Sequence, residues 1–235
     1  MVMRLLGQLL ERSIDRQLAV CVLCRSGGDI DAGICAPCRR DLPALGHACA
    51  SCALPLPNPA DRHCPRCLQK PPPQFSSRTC WYYAYPVAQL IQRFKYQRDL
   101  AAGRTLAELA AQQLDPGSER PDLLVAVPLH WRKQLSRGYN QAQLIAETLG
   151  HHWRTPVDNR ALRKVTATGN QQELRRSERL KNLSDSFNAT PAVSGLHIGL
   201  VDDVITTGAT VEVAARALCS AGAIRVSVYA LARTP

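Results

Sequence analysis

An α/β fold, with a parallel sheet flanked by helices and a small metal-stapled domain in front, is what this sequence predicts, on three observations. Apolar runs without alternation, over residues 123–128 and 198–201, read as strands buried on both faces, as in parallel sheets. Segments with helical spacing of apolar residues lie before, between and after these runs. Eight of the ten cysteines fall in one block between Cys21 and Cys67, whereas the remainder is rich in Ala, Leu and Val. The 235 residues therefore divide by composition, with the boundary expected at the stiff Pro71-Pro72-Pro73 linker: 1–72 and 73–235.

Residues 1–18 alternate apolar side chains with Arg4, Glu11, Arg12, Asp15 and Arg16, which predicts a short amphipathic helix capping the domain. A signal peptide would need an uninterrupted apolar core and a cleavage site. No run of 18 apolar residues occurs, so no membrane partner is expected and a cytoplasmic location is.

The cysteine block holds four Cys-x2-Cys knuckles: Cys21/Cys24, Cys35/Cys38, Cys49/Cys52 and Cys64/Cys67. Each knuckle lets two thiolates reach one ion, and two knuckles complete a tetrahedron, so two structural Zn2+ are expected. Disulfides are the wrong use of these residues in a reducing compartment. Segment 19–70 is also too poor in apolar residues to fold without a staple. Sequential pairing joins the first knuckle to the second and the third to the fourth. Cross-braced pairing joins the first to the third and the second to the fourth. Short loops close at lower entropic cost, which favours the sequential scheme. An iron–sulfur cluster is the competing occupant. His47 and His63 adjoin the knuckles but are surplus to eight thiols.

Beyond the linker, residues 81–85 read as a strand and 87–114 as one helix, with Leu90, Ile91 and Phe94 at helical spacing. Lys95 and Tyr96 lie on that helix, where solvent exposure is the ordinary expectation. The strand over 123–128 ends abruptly at Val127-Pro128, and a basic stretch with Arg132, Lys133 and Arg137 leads into a helix over about 141–149. In open α/β sheets ligands collect outside the carboxyl ends of the strands, which suits a pyrophosphate and makes Arg137 a candidate. Residues 160–182 carry seven cations against two carboxylates. Such a segment cannot bury itself, but it could fold over an anionic ligand as a lid, or serve as an RNA- or DNA-contacting arm. A helix over 211–220 and a strand over 226–231 complete the sheet. Cys80 and Cys219 read as buried small apolar residues.

The most informative stretch runs from Ile198 to Thr210. An apolar strand ends in two carboxylates, Asp202 and Asp203, and the turn Thr206-Thr207-Gly208-Ala209-Thr210 opens a helix. Successive N–H groups in such a turn, together with the helix N-terminus, favour a phosphate dianion. Gly208 removes a Cβ from the approach, the threonines add hydroxyl donors, and the carboxylates could accept from vicinal hydroxyls. A generic strand–turn–helix would not need two charges at a strand's end. The stretch resembles the phosphoribosyl pyrophosphate (PRPP) motif of type I phosphoribosyltransferases.

With the four knuckles in front, the chain as a whole resembles the ComF/GntX family. The matching elements include Val127-Pro128-Leu129, Leu135 and Arg137-Gly138-Tyr139-Asn140-Gln141, then Gln171, Leu174, Arg179, Asn182 and Phe187. Leu231, Arg233 and Thr234 complete the match. The resemblance implies a double zinc ribbon joined to a type I phosphoribosyltransferase-like sheet, with Mg2+–PRPP as ligand and pyrophosphate as leaving group. Asp202 and Asp203 would then grip the ribose hydroxyls, the 206–210 loop the 5′-phosphate, and Arg137 the departing charge. The family labels refer to DNA uptake in competence and to gluconate utilisation.

A net charge of +10 fits an anionic partner, whether a phosphorylated sugar or nucleic acid. The alternative readings are a non-catalytic protein that handles single-stranded DNA with competence proteins, and a PRPP sensor. Few aromatics (three Trp, six Tyr, three Phe) are available for base stacking, which weighs against the first.

Overall fold

The computed structural model describes residues 20–129, 137–164 and 186–235. The helix expected over 1–18, the loop through Arg132 and Lys133, and the lid segment beyond residue 164 lie outside the described residues.

The first ribbon is an antiparallel hairpin, β1 (Ile30–Asp31) and β2 (Ile34–Cys35), followed by the short helix α1 (Ala36–Arg40). The second ribbon ends in the matching helix α2 (Pro65–Gln69). Each helix starts directly after a zinc-ligand candidate, Cys35 or Cys64, with a proline in its first turn, where the missing N–H costs nothing.

The strand expected at 81–85 begins earlier, as β3 (Ser76–Tyr82). The single helix expected over 87–114 is two, α3 (Val87–Tyr96) and α4 (Leu100–Gln113). Arg98 turns left-handed at φ 55°, and the Asp99 carboxylate accepts from the Ala102 N–H at 2.9 Å and from Arg93 at 2.5 and 3.0 Å. Apolar spacing is nearly continuous across this junction, so periodicity alone reads through it; the Asp cap was the signal. The chain continues through β4 (Leu123–Ala126), α5 (Gln141–Trp153), β5 (Leu162–Lys164), β6 (Phe187–Ala189), β7 (His197–Ile205), α6 (Ala209–Ser220) and β8 (Arg225–Arg233).

The main sheet has the order β3-β8-β7-β4, and every pairing is parallel. This is the predicted class: an α/β fold with a parallel sheet between helices and the zinc-ribbon domain N-terminal to it. Strands β7 and β8 occupy the centre, which is why they read as apolar runs rather than as alternation. On one face Leu90, Phe94, Leu106, Ile145 and Trp153 pack with Val201 and Tyr229. On the other, Val211 and Leu218 of α6 pack with Leu200, Ile205 and Val228. Neighbouring backbone covers both sheet edges, which would otherwise invite pairing with another chain. The Tyr82 N–H donates to the Pro43 carbonyl at 2.8 Å, and the Leu124 N–H to that of Pro156 at 2.9 Å.

Cys80 is buried, as expected. Cys219 is not: it is exposed in the last turn of α6, because its neighbour Leu218 takes the core-facing position. No helix among the described residues is long and apolar enough to cross a membrane.

Candidate metal centres and phosphate site

The eight knuckle cysteines converge in two groups, Cys21/Cys24/Cys35/Cys38 and Cys49/Cys52/Cys64/Cys67, with the sulfurs of each group within 4.8 Å of one another. This is the sequential scheme, and the cross-braced one is ruled out. Sγ–Sγ separations are 3.8 Å for Cys24–Cys35 and 3.7 Å for Cys52–Cys64. A tetrahedron with Zn–S bonds of about 2.3 Å has edges of about 3.8 Å, so each group is sized for one Zn2+. An iron–sulfur cluster would hold its thiolates wider.

The local chemistry prepares thiolates. The Ser26 hydroxyl at 2.9 Å, with the Ser26 N–H, draws the Cys24 thiol down to about 6. Burial opposes ionisation of Cys49, yet backbone N–H groups of Cys64, Cys52 and Ser51 bring it down to about 6. Burial and the neighbouring thiols push Cys38 up to about 12, because four sulfurs this close cannot all ionise without a cation between them. His47 and His63 stand aside as predicted: the first bonds the Asp61 carbonyl at 2.7 Å, the second the Ser51 hydroxyl at 3.1 Å.

The second constellation lies at the carboxyl edge of the sheet. β7 runs on past Asp202 and Asp203 to Ile205, so the carboxylates sit within the strand rather than at its end. The Asp203 N–H donates to Asp202 Oδ1 at 2.8 Å. Burial, with the Asp203 charge beside it, pushes the Asp202 carboxyl up to about 7, and Lys95 pulls the other way. Lys95, expected in solvent, reaches in from the last turn of α3 and pairs with Asp203 at 2.9 Å. Both side chains are less than a fifth exposed, so this is a compensated pair beside a strained carboxyl.

Immediately beyond, Thr206 and Thr207 are exposed and Gly208 takes φ 82° as the N-cap of α6. A side chain there would face left-handed strain, and a Cβ would occupy the space in front of the helix. Gly208 has no side chain to cap the helix, which leaves first-turn N–H groups to an outside acceptor. The Thr207 hydroxyl accepts from the Ala209 N–H at 3.4 Å, and Ala209 and Thr210 are exposed at the helix start.

Arg137 contacts α5 and α3. Its guanidinium donates to Gln141 at 3.1 Å and lies over the Tyr96 ring at 5.0 Å, next in sequence to Lys95. Asn140 caps α5, accepting from the Ala142 N–H at 3.1 Å while its amide donates to the Val127 carbonyl at 3.0 Å. Tyr139 stacks on Phe94 with centroids 5.5 Å apart and donates to the Phe94 carbonyl. The Arg-Gly-Tyr-Asn-Gln stretch thus fastens α5 to the C-terminal end of α3, the end that carries Lys95.

Sequence reasoning gave no role to two arginines. Arg233 of β8 is buried and donates to the carbonyls of Ile205, Thr206 and Thr234, while its Nε reaches the Cys52 carbonyl at 3.2 Å. Arg66 of α2 donates to the Thr207 carbonyl at 3.4 Å and to Glu212 at 3.2 Å. Neither belongs to a periodic or spaced pattern; only the short Leu-x-Arg-Thr match near the C-terminus touched Arg233.

Comparison with known proteins matches residues 19–68 to the double zinc ribbon domain, making the two four-cysteine groups zinc-binding sites. The DNA utilization protein YhgH of Salmonella typhimurium LT2 is 36% identical over 221 residues, covering 92% of this chain and 97% of that protein. Competence protein F of Haemophilus influenzae is 31% identical over 222 residues, covering 91% and 96%. Among solved structures, the Bacillus subtilis glutamine PRPP amidotransferase complexed with ADP and GMP aligns at 19% identity with a TM-score of 0.41. That alignment spans 59% of this chain and 30% of the other.

Proposed function

Since the chain belongs to the ComF/GntX family, which joins a double zinc ribbon to a phosphoribosyltransferase-like domain, we propose that its sheet edge binds PRPP and transfers the phosphoribosyl group. One observation carries this reading: the Asp202–Asp203 pair and the Gly208-capped loop follow one another at the carboxyl edge of a central parallel strand. The spacing suits a ribose whose hydroxyls meet the carboxylates while its 5′-phosphate meets the loop. Binding energy from that remote phosphate orients the reacting carbon.

Mg2+ takes oxygen ligands and retains several waters. The carboxylates of Asp202 and Asp203 are hard oxygen donors and would fit such an ion together with the oxygens of PRPP. When bound it supplies positive charge to the leaving pyrophosphate. This chain's own residues do the rest. Asp202 and Asp203 orient the ribose, Lys95 keeps one of the two carboxylates compensated, and Arg137 meets charge that develops on the departing group. The bond from the anomeric carbon to pyrophosphate oxygen breaks with its electron pair going to pyrophosphate, and the acceptor's lone pair forms the new bond.

The relatives' names favour a second reading, in which the same fold handles single-stranded DNA through its basic surface. Its signature is binding that falls steeply with salt. Paired variants separate the two. Asp202→Asn with Asp203→Asn should weaken PRPP far more than inorganic phosphate, whereas Gly208→Val should abolish both and leave single-stranded DNA binding unchanged. Equal losses of PRPP and phosphate in the double variant would remove the ribose contacts from the account.

A further inference from the structure

The carbonyls of Ile205, Thr206 and Thr207 all accept from guanidinium groups next to the second ribbon, Ile205 also taking the Thr234 N–H at 3.1 Å as the last bond of the sheet. In a trans peptide the C=O of one residue and the N–H of the next point in opposite directions. Holding these three carbonyls toward the ribbon therefore turns the N–H groups of Thr206, Thr207 and Gly208 the other way. It also keeps three partial negative charges from facing a bound phosphate. Both arginines touch the second four-cysteine group: Arg66 lies between the ligands Cys64 and Cys67 on α2, and Arg233, carried by β8, donates from Nε to the Cys52 carbonyl. A cavity of about 230 Å³, lined by Cys52, Cys64, Cys67, Thr207, Gly208 and Glu212, separates ribbon from loop. Side-chain packing does not fill the gap, so the two guanidinium groups bridge it.

We propose that Arg233 and Arg66 are positioning residues through which the second zinc site holds the phosphate loop in its anion-binding geometry. The inference rests on the proposed PRPP reading for its consequence, though not for its geometry. Zinc at Cys49/Cys52/Cys64/Cys67 fixes the ribbon, the ribbon fixes the two guanidinium groups, and these fix the peptide planes of the loop. Occupancy of this zinc then sets sugar-phosphate affinity without any ribbon atom touching the ligand. Arg233 bears more of the load, being buried and bonded to several carbonyls, whereas Arg66 is two-thirds exposed and its pairing is screened. A lysine at 233 keeps the charge but cannot reproduce the planar fork that spans separate carbonyls.

Hydrogen exchange of the loop amides, read on peptides covering residues 205–212 of the zinc-loaded full chain, tests this directly. Arg233→Lys and Arg66→Ala should each retain two zincs and raise exchange in that segment several-fold. PRPP affinity should fall about tenfold or more for Arg233→Lys, less for Arg66→Ala, and recover in part with Arg66→Lys. Arg39→Ala in the first ribbon, which breaks contacts to Asp31 and Gln112, should leave the segment unchanged. If Arg233→Lys fails to fold, the exposed Arg66 still gives the test. Unchanged loop exchange with both arginine variants would overturn the proposal, whatever the ligand does. Raised exchange in a protein whose wild type binds neither PRPP nor phosphate would uphold the clamp and remove the proposed function.

Discussion

The two ribbons carry the same Cys-x2-Cys spacing but live in different surroundings, and the difference separates scaffold from site. The first is welded into the main core: Cys21, Val22, Ile30, Ile34 and Leu42 pack with the helices of the large domain, and Arg93 donates to the Val22 carbonyl at 2.9 Å. The second has only a small core of its own, Cys49, Cys64 and Cys67 with Leu54 and Leu56 beside them. It meets the large domain mainly through polar contacts, including Arg66 with the Thr207 carbonyl and Arg233 of β8 with the Cys52 carbonyl. Apolar burial stabilises without direction, whereas hydrogen bonds fix orientation. One zinc site is thus expected to govern stability and the other ligand geometry.

Removing the metals one at a time is the strongest way to break this contrast. Cys21→Ser and Cys64→Ser should each lower the zinc content from two per chain toward one. Cys21→Ser should depress the unfolding temperature the more, and Cys64→Ser the PRPP affinity; equal effects on both quantities would erase the distinction. A smaller effect is expected at Gly33, which turns the first hairpin at φ 81° and whose added Cβ would lie 2.3 Å from the Thr105 hydroxyl on α4. Gly33→Ala should cost about 1–3 kcal/mol in denaturant unfolding. Loop exchange at 205–212 should stay as in the wild type, and a change there would couple the first ribbon to the site.

The smallest effect sharpens the contrast from the site's side. The Asp202 carboxyl is raised to about 7, so folding opposes its ionisation. That cost is absent below the unfolded value near 4, grows as pH rises, and is complete above about 7. Asp202→Asn should therefore raise the unfolding temperature by a few degrees at pH 8 and leave it unchanged at pH 4. A gain of equal size at both values would assign the effect to something other than ionisation.

How much of this was legible in the sequence follows the range of the forces involved. Local spacing announced both four-cysteine groups, because ligand pairing is a local geometric demand, and short loops favoured the scheme observed. Central strands were legible because burial on both faces leaves an apolar run. Gly208 and the Asp202–Asp203 pair were legible because one turn contains their chemistry. Lys95 was not: its partner Asp203 lies more than a hundred residues away, and an isolated helical lysine carries no mark of the tertiary contact that buries it. Arg233 and Arg66 escaped for the same reason, their partners being backbone carbonyls and, for Arg66, a carboxylate 146 residues away. The break at Asp99 was signalled by a cap residue but overruled by periodicity, and Cys219 was assigned to the core one position away from the leucine that fills it.

Calorimetric titration of the zinc-loaded full chain with PRPP, with and without Mg2+, is the decisive experiment for the proposed sugar-phosphate site. Saturable one-site binding that strengthens with Mg2+ and is lost in Gly208→Val is the predicted result. Heat indistinguishable from dilution under both conditions would contradict it, and would leave the Asp202–Asp203 strand and its loop without a PRPP ligand.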